Sequence, residues 1–156
     1  MESTGGCFVV APGEGRLIGL REFEMRVKAD AASTGGVVSV LESTEPSGFG
    51  PPMHVHDDAA EAFYVLEGEY VMNLDGDECR CPAGSFIFIP QGVPHGFRVG
   101  AVPSRKLNFY FPAAMTAYFD DLAAALARSD VTDEELTEIA EAHHMHIVGP
   151  PSERYV

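Results

Sequence analysis

Positive charge is scarce in this sequence: ten lysines and arginines stand against 24 aspartates and glutamates, leaving a formal net charge of −14 over 156 residues. Phosphate backbones and anionic lipid surfaces attract the opposite sign, so neither nucleic acid nor a membrane is expected as a partner. No stretch approaches the roughly 18 consecutive apolar residues of a membrane span. The opening MESTGG carries no positive charge, and the apolar run from Cys7 to Ala11 is too short for the core of a secretory signal, so a cytoplasmic protein is the expectation. Cysteine is equally sparse. Cys7, Cys79 and Cys81 are too few, and odd in number, for a disulfide framework or a four-cysteine zinc site, and they read as reduced thiols. Internal repeats, low-complexity runs and a glycine-rich phosphate loop are all missing.

What is present describes one globular domain. Apolar residues make up 46% and charged residues 22%, ordinary values for a chain that folds around a single core. Glycine and proline are abundant, at 16 and 11 residues, and 24 of them lie at or before Pro112, whereas the stretch from Ala113 to Ala127 holds seven alanines and neither of the two. A β part over residues 1–112 followed by a helical tail over 113–156 is the expected organisation, with the tail packed outside the barrel of the same domain. Upstream, Phe23, Met25 and Val27 alternate with charged residues, the period of a strand with one buried face. Further strands are expected at Val37 to Leu41, Glu61 to Leu66, Tyr70 to Leu74, Phe86 to Ile89, Gly96 to Val99 and Leu107 to Phe111, separated by turn chemistry. Asp75-Gly76 between two such runs predicts a type I′ hairpin. Many short strands at close spacing indicate an all-β sandwich or barrel. Downstream, Met115, Tyr118, Phe119, Leu122 and Leu126 recur at helical spacing after Pro112. A second helix is expected from Thr132, which forms a capping box with Glu135 and carries Leu136, Ile139, Ala140 and His143 on one stripe.

Two clusters carry chemistry. In the first, GFGPPMHVHDDAAEAFYVLEG from Gly48 to Gly68, His54 and His56 are two apart on an extended segment and point the same way. A turn through Asp57, Asp58, Ala59 and Ala60 brings Glu61 back beside them. In the second, GSFIFIPQGVPHGF from Gly84 to Phe97, Pro90, Gly92 and Pro94 shape a turn that presents His95. Three imidazoles and one carboxylate suit one divalent transition metal, whether Fe, Mn, Ni, Co, Cu or Zn, with positions left for water, substrate or dioxygen. His143, His144 and His146 do not form a second site, since adjacent residues cannot share a helix face.

These clusters resemble the paired motifs of the cupin superfamily. The pattern G-x5-H-x-H-x4-E-x6-G is met at Gly48, His54, His56, Glu61 and Gly68, and G-x5-P-x-G-x2-H-x3-N is met at Gly84, Pro90, Gly92 and His95, with Val99 in place of the last Asn. Fifteen residues separate Gly68 from Gly84, a short spacing similar to that of bacterial single-domain members. The resemblance implies a double-stranded β-helix, the cupin or jelly-roll barrel, with a C-terminal pair of α-helices. It also implies a metal held by His54, His56, Glu61 and His95, and a homodimer.

Strand alternation places Phe63 with Glu61 and Phe97 with His95, and puts Tyr70 and Met72 together on the intervening strand. With Phe109, these residues are expected to line an apolar bowl for a small apolar or aromatic substrate that chelates through its own oxygens. Arg98, Arg105 and Lys106 are the only basic residues near the second motif, which disfavours phosphorylated substrates. Within the superfamily the ligand set and helical tail look most like the quercetinase group of flavonol 2,4-dioxygenases. That resemblance implies a dioxygenase that opens a flavonol-like or polyketide aromatic ring, with dioxygen as co-substrate and Glu61 as both ligand and catalytic base. Two other readings stay open at this point: a non-redox metal-dependent polyketide cyclase or isomerase, and a non-catalytic binder of small molecules.

Overall fold

A computed structural model describes residues 2–4 and 6–151, with side chains over 6–150. Thirteen strands run as β1 (Glu2–Thr4), β2 (Cys7–Val9), β3 (Arg16–Gly19), β4 (Glu24–Ala29), β5 (Ser39–Glu45), β6 (Pro52–His56), β7 (Ala60–Glu67), β8 (Glu69–Leu74), β9 (Asp77–Pro82), β10 (Phe86–Ile89), β11 (His95–Val99), β12 (Ser104–Phe111) and β13 (Met145–Pro151). Three helices, α1 (Ala31–Thr34), α2 (Thr116–Leu126) and α3 (Asp133–Ala142), complete the described residues. Apart from the ribbon β1-β2, the strands form a six-stranded sheet, β10-β7-β12-β5-β4-β3, and a five-stranded sheet, β13-β6-β11-β8-β9. Every neighbouring pair is antiparallel, and the fold is the expected jelly-roll barrel with C-terminal helices. No helix among the described residues is long and apolar enough to cross a membrane.

Local chemistry accounts for the turns that matter. Leu74 pairs with Asp77, so Asp75 and Gly76 form a two-residue loop, and both adopt positive φ (52° and 95°), as the type I′ turn requires. At Gly68 φ is 74°, and a Cβ there would lie 2.1 Å from Ser104 Oγ, so only glycine permits the close crossing of β7, β8 and the start of β12.

The interior is filled by two apolar clusters. One contains Phe63, Val65, Tyr70, Met72, Ile87, Ile89 and Val99, with Phe97 packed against it. The other joins Met25, Val27 and Leu41 of the sheet to Met115 and Tyr118 of the tail. The tail therefore packs against the core of the six-stranded sheet. Met115, at the N-cap of α2, and Tyr118 and Phe119 within the helix help line the interior cavity. The tail is also not helical throughout. After α3 the chain returns as β13 and extends the five-stranded sheet beside β6, pairing Met145 with His56 and Ile147 with His54. The capping box of α3 is half formed. Thr132 Oγ1 accepts from the Glu135 N–H at 3.2 Å, but the Glu135 carboxylate is held by Arg128 at 2.7 Å instead of turning back to the cap.

Candidate metal centre

The two sheets meet at the site. His54 and His56 lie on β6, with His54 opposite His95 of β11, while the turn after His56 crosses to the other sheet and delivers Glu61 on β7. Gly92 (φ 81°) allows the tight turn ahead of β11, and its N–H donates to the His56 carbonyl at 2.9 Å, tying the loop before His95 to the strand that carries the other two imidazoles. All four side chains are buried, and one ligand atom from each lies within 4.8 Å of the others.

Hydrogen bonds orient the rings. A carbonyl can only accept, so His54 donates from Nδ1 to Pro52 O (2.7 Å) and His95 donates from Nδ1 to Val93 O (2.8 Å). In the neutral tautomers this leaves both Nε2 lone pairs facing inward, the arrangement that metal-ligating histidines use. His95 Nε2 nevertheless sits 2.7 Å from Glu61 Oε2, and His56 Nε2 sits 3.0 Å from the same oxygen. Lone pairs converging on a carboxylate require positive charge among them, supplied by protons or by a cation. Burial first, then the neighbouring His95, pushes His54 down to about 3, so this ring is neutral and free to ligate. Burial alone would raise Glu61, but His56 and His95 outweigh it and hold the carboxyl well below the ordinary carboxylate range. Burial lowers the His95 pKa, but its hydrogen bond to Glu61 and the charge of that carboxylate outweigh burial and raise it. A divalent transition ion, which three imidazoles and one carboxylate suit, would therefore take the place of a proton held between His95 and Glu61.

Several contributors escaped the sequence. Asn108 donates from Nδ2 to Glu61 Oε1 at 2.8 Å and fixes the carboxylate from the side away from the histidines. Tyr110 faces the His56 ring edge-on at 5.4 Å, and burial together with Glu61 keeps its phenol protonated. Both lie on the inner face of β12 with Ser104 and Lys106, whereas Arg105, Leu107, Phe109 and Phe111 lie on the outer face. The signal was present as the alternating polar residues of SRKLNFYF, but apolar alternation points the eye to the wrong face.

The cavity beside the four ligands measures about 80 Å³. Of the residues expected to line it, Phe63 and Phe97 do. Tyr70 and Met72 lie deeper, in the apolar cluster, with Tyr70 edge-on to Phe97 at 5.4 Å. Phe109 does not reach the interior: it lies on the outer face of β12, stacked on Phe111, because Asn108 and Tyr110 occupy the inward positions. The bowl is also not wholly apolar, since Glu45, Lys106 and Asn108 share its wall. Of the three tail histidines, His143 contacts Asp121, and His146 bridges Asp57 and Glu141. Among the described residues only the four-residue cluster on β6, β7 and β11 gathers as a metal site.

Comparison with known proteins agrees with this geometry. Residues 40–104 match the family described as Cupin domain. Quercetin 2,3-dioxygenase of Bacillus subtilis is 28% identical over 102 residues, covering 65% of this chain and 30% of that protein. Acireductone dioxygenase of a Picosynechococcus species is 39% identical over 57 residues, covering 34% of this chain and 32% of that protein. The chain thus spans about a third of either relative. Among solved structures, an RmlC-like cupin from Shewanella frigidimarina superposes with a TM-score of 0.59 at 20% identity, over 71% of this chain and 93% of that one, a likeness of fold.

Proposed function

Since this chain is a small cupin resembling the quercetinase-like cupins, we propose that it is a metal-dependent dioxygenase acting on an enolisable, oxygen-chelating substrate of the flavonol or polyketide aromatic kind. The observation that carries this reading is the convergence of three imidazoles and one ionised carboxylate on a single buried point, beside a cavity. When bound there, a divalent transition ion supplies a Lewis-acid centre and, if redox-active, a path for electrons to dioxygen.

The remaining work falls to the chain. His54 and His95 are held by backbone carbonyls, so their rings need no reorganisation when substrate arrives. Glu61 is ionised and pinned by Asn108, which suits it to accept the hydroxyl proton of an enol placed against Oε2. Phe63 and Phe97 present apolar walls to the substrate rings. A cavity of about 80 Å³ lies well below the roughly 300 Å³ of sites that enclose drug-sized ligands. A flavonol therefore enters only as Met115, Tyr118 and Phe119 withdraw, and in this reading residues 113–156 gate a barrel formed by 1–112. Aromatic side chains exposed on the outer sheet favour a homodimer.

Oxygen uptake with flavonols tests the proposal. Glu61→Gln is expected to retain metal while turnover falls at least about 100-fold, the size of a general-base contribution. Full turnover in that variant overturns the role of Glu61. Turnover that continues unchanged without dioxygen overturns the dioxygenase reading in favour of Lewis-acid cyclisation or isomerisation.

A further inference from the structure

A second polar cluster reaches the same cavity wall through Glu45 and Lys106, and the steps above leave it unused. Lys106, Glu45, Ser43 and Tyr70 are each at most 2% exposed. Register brings them together: Lys106 pairs with Ser43 and Ser104 with Glu45 across β12 and β5. Lys106 Nζ donates to Glu45 Oε1 at 2.8 Å and to Ser43 Oγ at 3.3 Å, Ser43 donates to Glu45 Oε1 at 2.7 Å, and the Tyr70 hydroxyl donates to Glu45 Oε2. Both carboxylate oxygens have donors, whereas the ammonium has three N–H groups and only two oxygen acceptors among the described residues. The rings of Phe97, Phe63 and Tyr70 surround Nζ with centroids at 4.9, 5.2 and 5.7 Å, within cation–π range.

Stability does not explain such a cluster. Desolvating an ion pair costs about as much as its attraction returns, and well-packed apolar residues would serve a core as well or better. Its position gives a better reason. Lys106 stands two residues from Asn108, about 7 Å along the same strand face, and Asn108 holds Glu61. Phe63 and Phe97, on which the ammonium rests, are two residues beyond Glu61 and His95. The cavity wall thus holds three of the four ligands, His54, His56 and Glu61, together with Lys106. With a divalent ion, one ammonium, two carboxylates and neutral imidazoles, its wall carries one net positive charge, which a monoanion neutralises. A water needs about 10–15 Å³, so this volume holds several waters or one ligand of a few non-hydrogen atoms.

We propose that Lys106 is a second anchoring point of the site, receiving the carboxylate of a short oxo- or hydroxy-carboxylic acid whose other oxygen faces the His54, His56, Glu61 and His95 cluster. This assignment rests on the metal-centre reading and names the ligand class that the closed cavity selects, as distinct from the larger aromatics that require α2 to withdraw. Lys106 would then be a specificity-determining residue, and Glu45, with Tyr70, the group that positions it.

Calorimetric titration of the cobalt-loaded full-length protein with pyruvate and with its neutral amide tests this, cobalt uptake being read separately from its visible absorption. Pyruvate is expected to bind at least ten-fold more tightly than the amide. That preference is expected to vanish in Lys106→Met and in Lys106→Met/Glu45→Gln, the second variant leaving no unpaired buried charge if the first fails to fold. Equal affinity for acid and amide in the unmodified protein, or a preference that survives in the double variant, overturns the role of Lys106 while leaving the metal centre intact. Failure of cobalt to bind overturns the metal-centre reading itself, and this proposal with it.

Discussion

Asn108 is the residue whose removal separates holding a metal from holding it well. It touches Glu61 Oε1 and none of the imidazoles, so Asn108→Ala leaves all four ligands in place while freeing the carboxylate to rotate. Outer-shell partners of this kind contribute about 10–100-fold to metal affinity. Asn108→Ala is therefore expected to bind metal stoichiometrically with affinity lower by that factor, read by competition with a chelator of known strength. Undiminished affinity would remove Asn108 from the site. His95→Ala, by contrast, is expected to lose the metal altogether. The four ligands could be read from sequence because their spacing is set by strand geometry: two histidines at i, i+2 share a face, and short turns return Glu61 and His95 to it. Asn108, Tyr110 and Lys106 could not, because they lie on a strand whose apolar residues face outward. In SRKLNFYF the usual rule would bury Leu107, Phe109 and Phe111, and a barrel that houses polar chemistry reverses it.

Among elements, α2 supplies part of the cavity wall, through Tyr118 and Phe119. Its helical stripe was legible, but its destination was not, since periodicity identifies an apolar face without saying what that face meets. Met115 begins the helix in a left-handed conformation (φ 69°) and is buried at the cavity, a backbone cost of about 1–2 kcal/mol that packing offsets. Phe119 is half-buried on the same wall. Phe119→Ala is expected to cost about 2 kcal/mol, less than the 3–5 of a fully buried phenylalanine. It is also expected to strengthen flavonol binding by enlarging the mouth. Urea unfolding and flavonol fluorescence measure the two effects, and weakened binding would refute a gating role. The return strand β13 was not anticipated, because Met145 to Pro151 lacks strict alternation and its Gly149-Pro150-Pro151 end reads as a turn. It is pinned by His146, whose side chain bridges Asp57 and Glu141. Asp57 and then Glu141 raise the His146 pKa against the small opposing effect of burial. A raised histidine stabilises the fold fully below its unfolded value of about 6.5, and that contribution disappears as pH rises through the folded value. The melting temperature of the native chain should exceed that of His146→Gln below about pH 6.5, and the gap should close towards alkaline pH. A gap that widens with pH would contradict the clasp.

At the scale of the whole molecule, the outer face of the six-stranded sheet is the surface that an isolated chain leaves unfinished. Register aligns Phe86 with Tyr64 and Leu107, and Phe88 with Ala62 and Phe109, so two apolar rows, with four aromatic residues between them, cross β10, β7 and β12. Phe86 and Phe88 are 64% and 55% exposed, and β10 is also the edge of its sheet, with one side of its backbone unpaired. Contiguous apolar surface beside an open edge is what a second copy covers in an isologous dimer. The net charge of −14 works against association, since two such chains repel until salt screens them. A dimer held by this face should therefore tighten as ionic strength rises, the opposite of one held by ion pairs. Light scattering across a salt series is expected to give the mass of two chains, and Phe86→Ser/Phe88→Ser is expected to give the mass of one at every salt concentration, with an unchanged circular dichroism spectrum and a melting temperature lowered only by the loss of association. Both residues are exposed, so the substitutions remove no core contact, and any persistent dimer in the double variant would place the interface elsewhere.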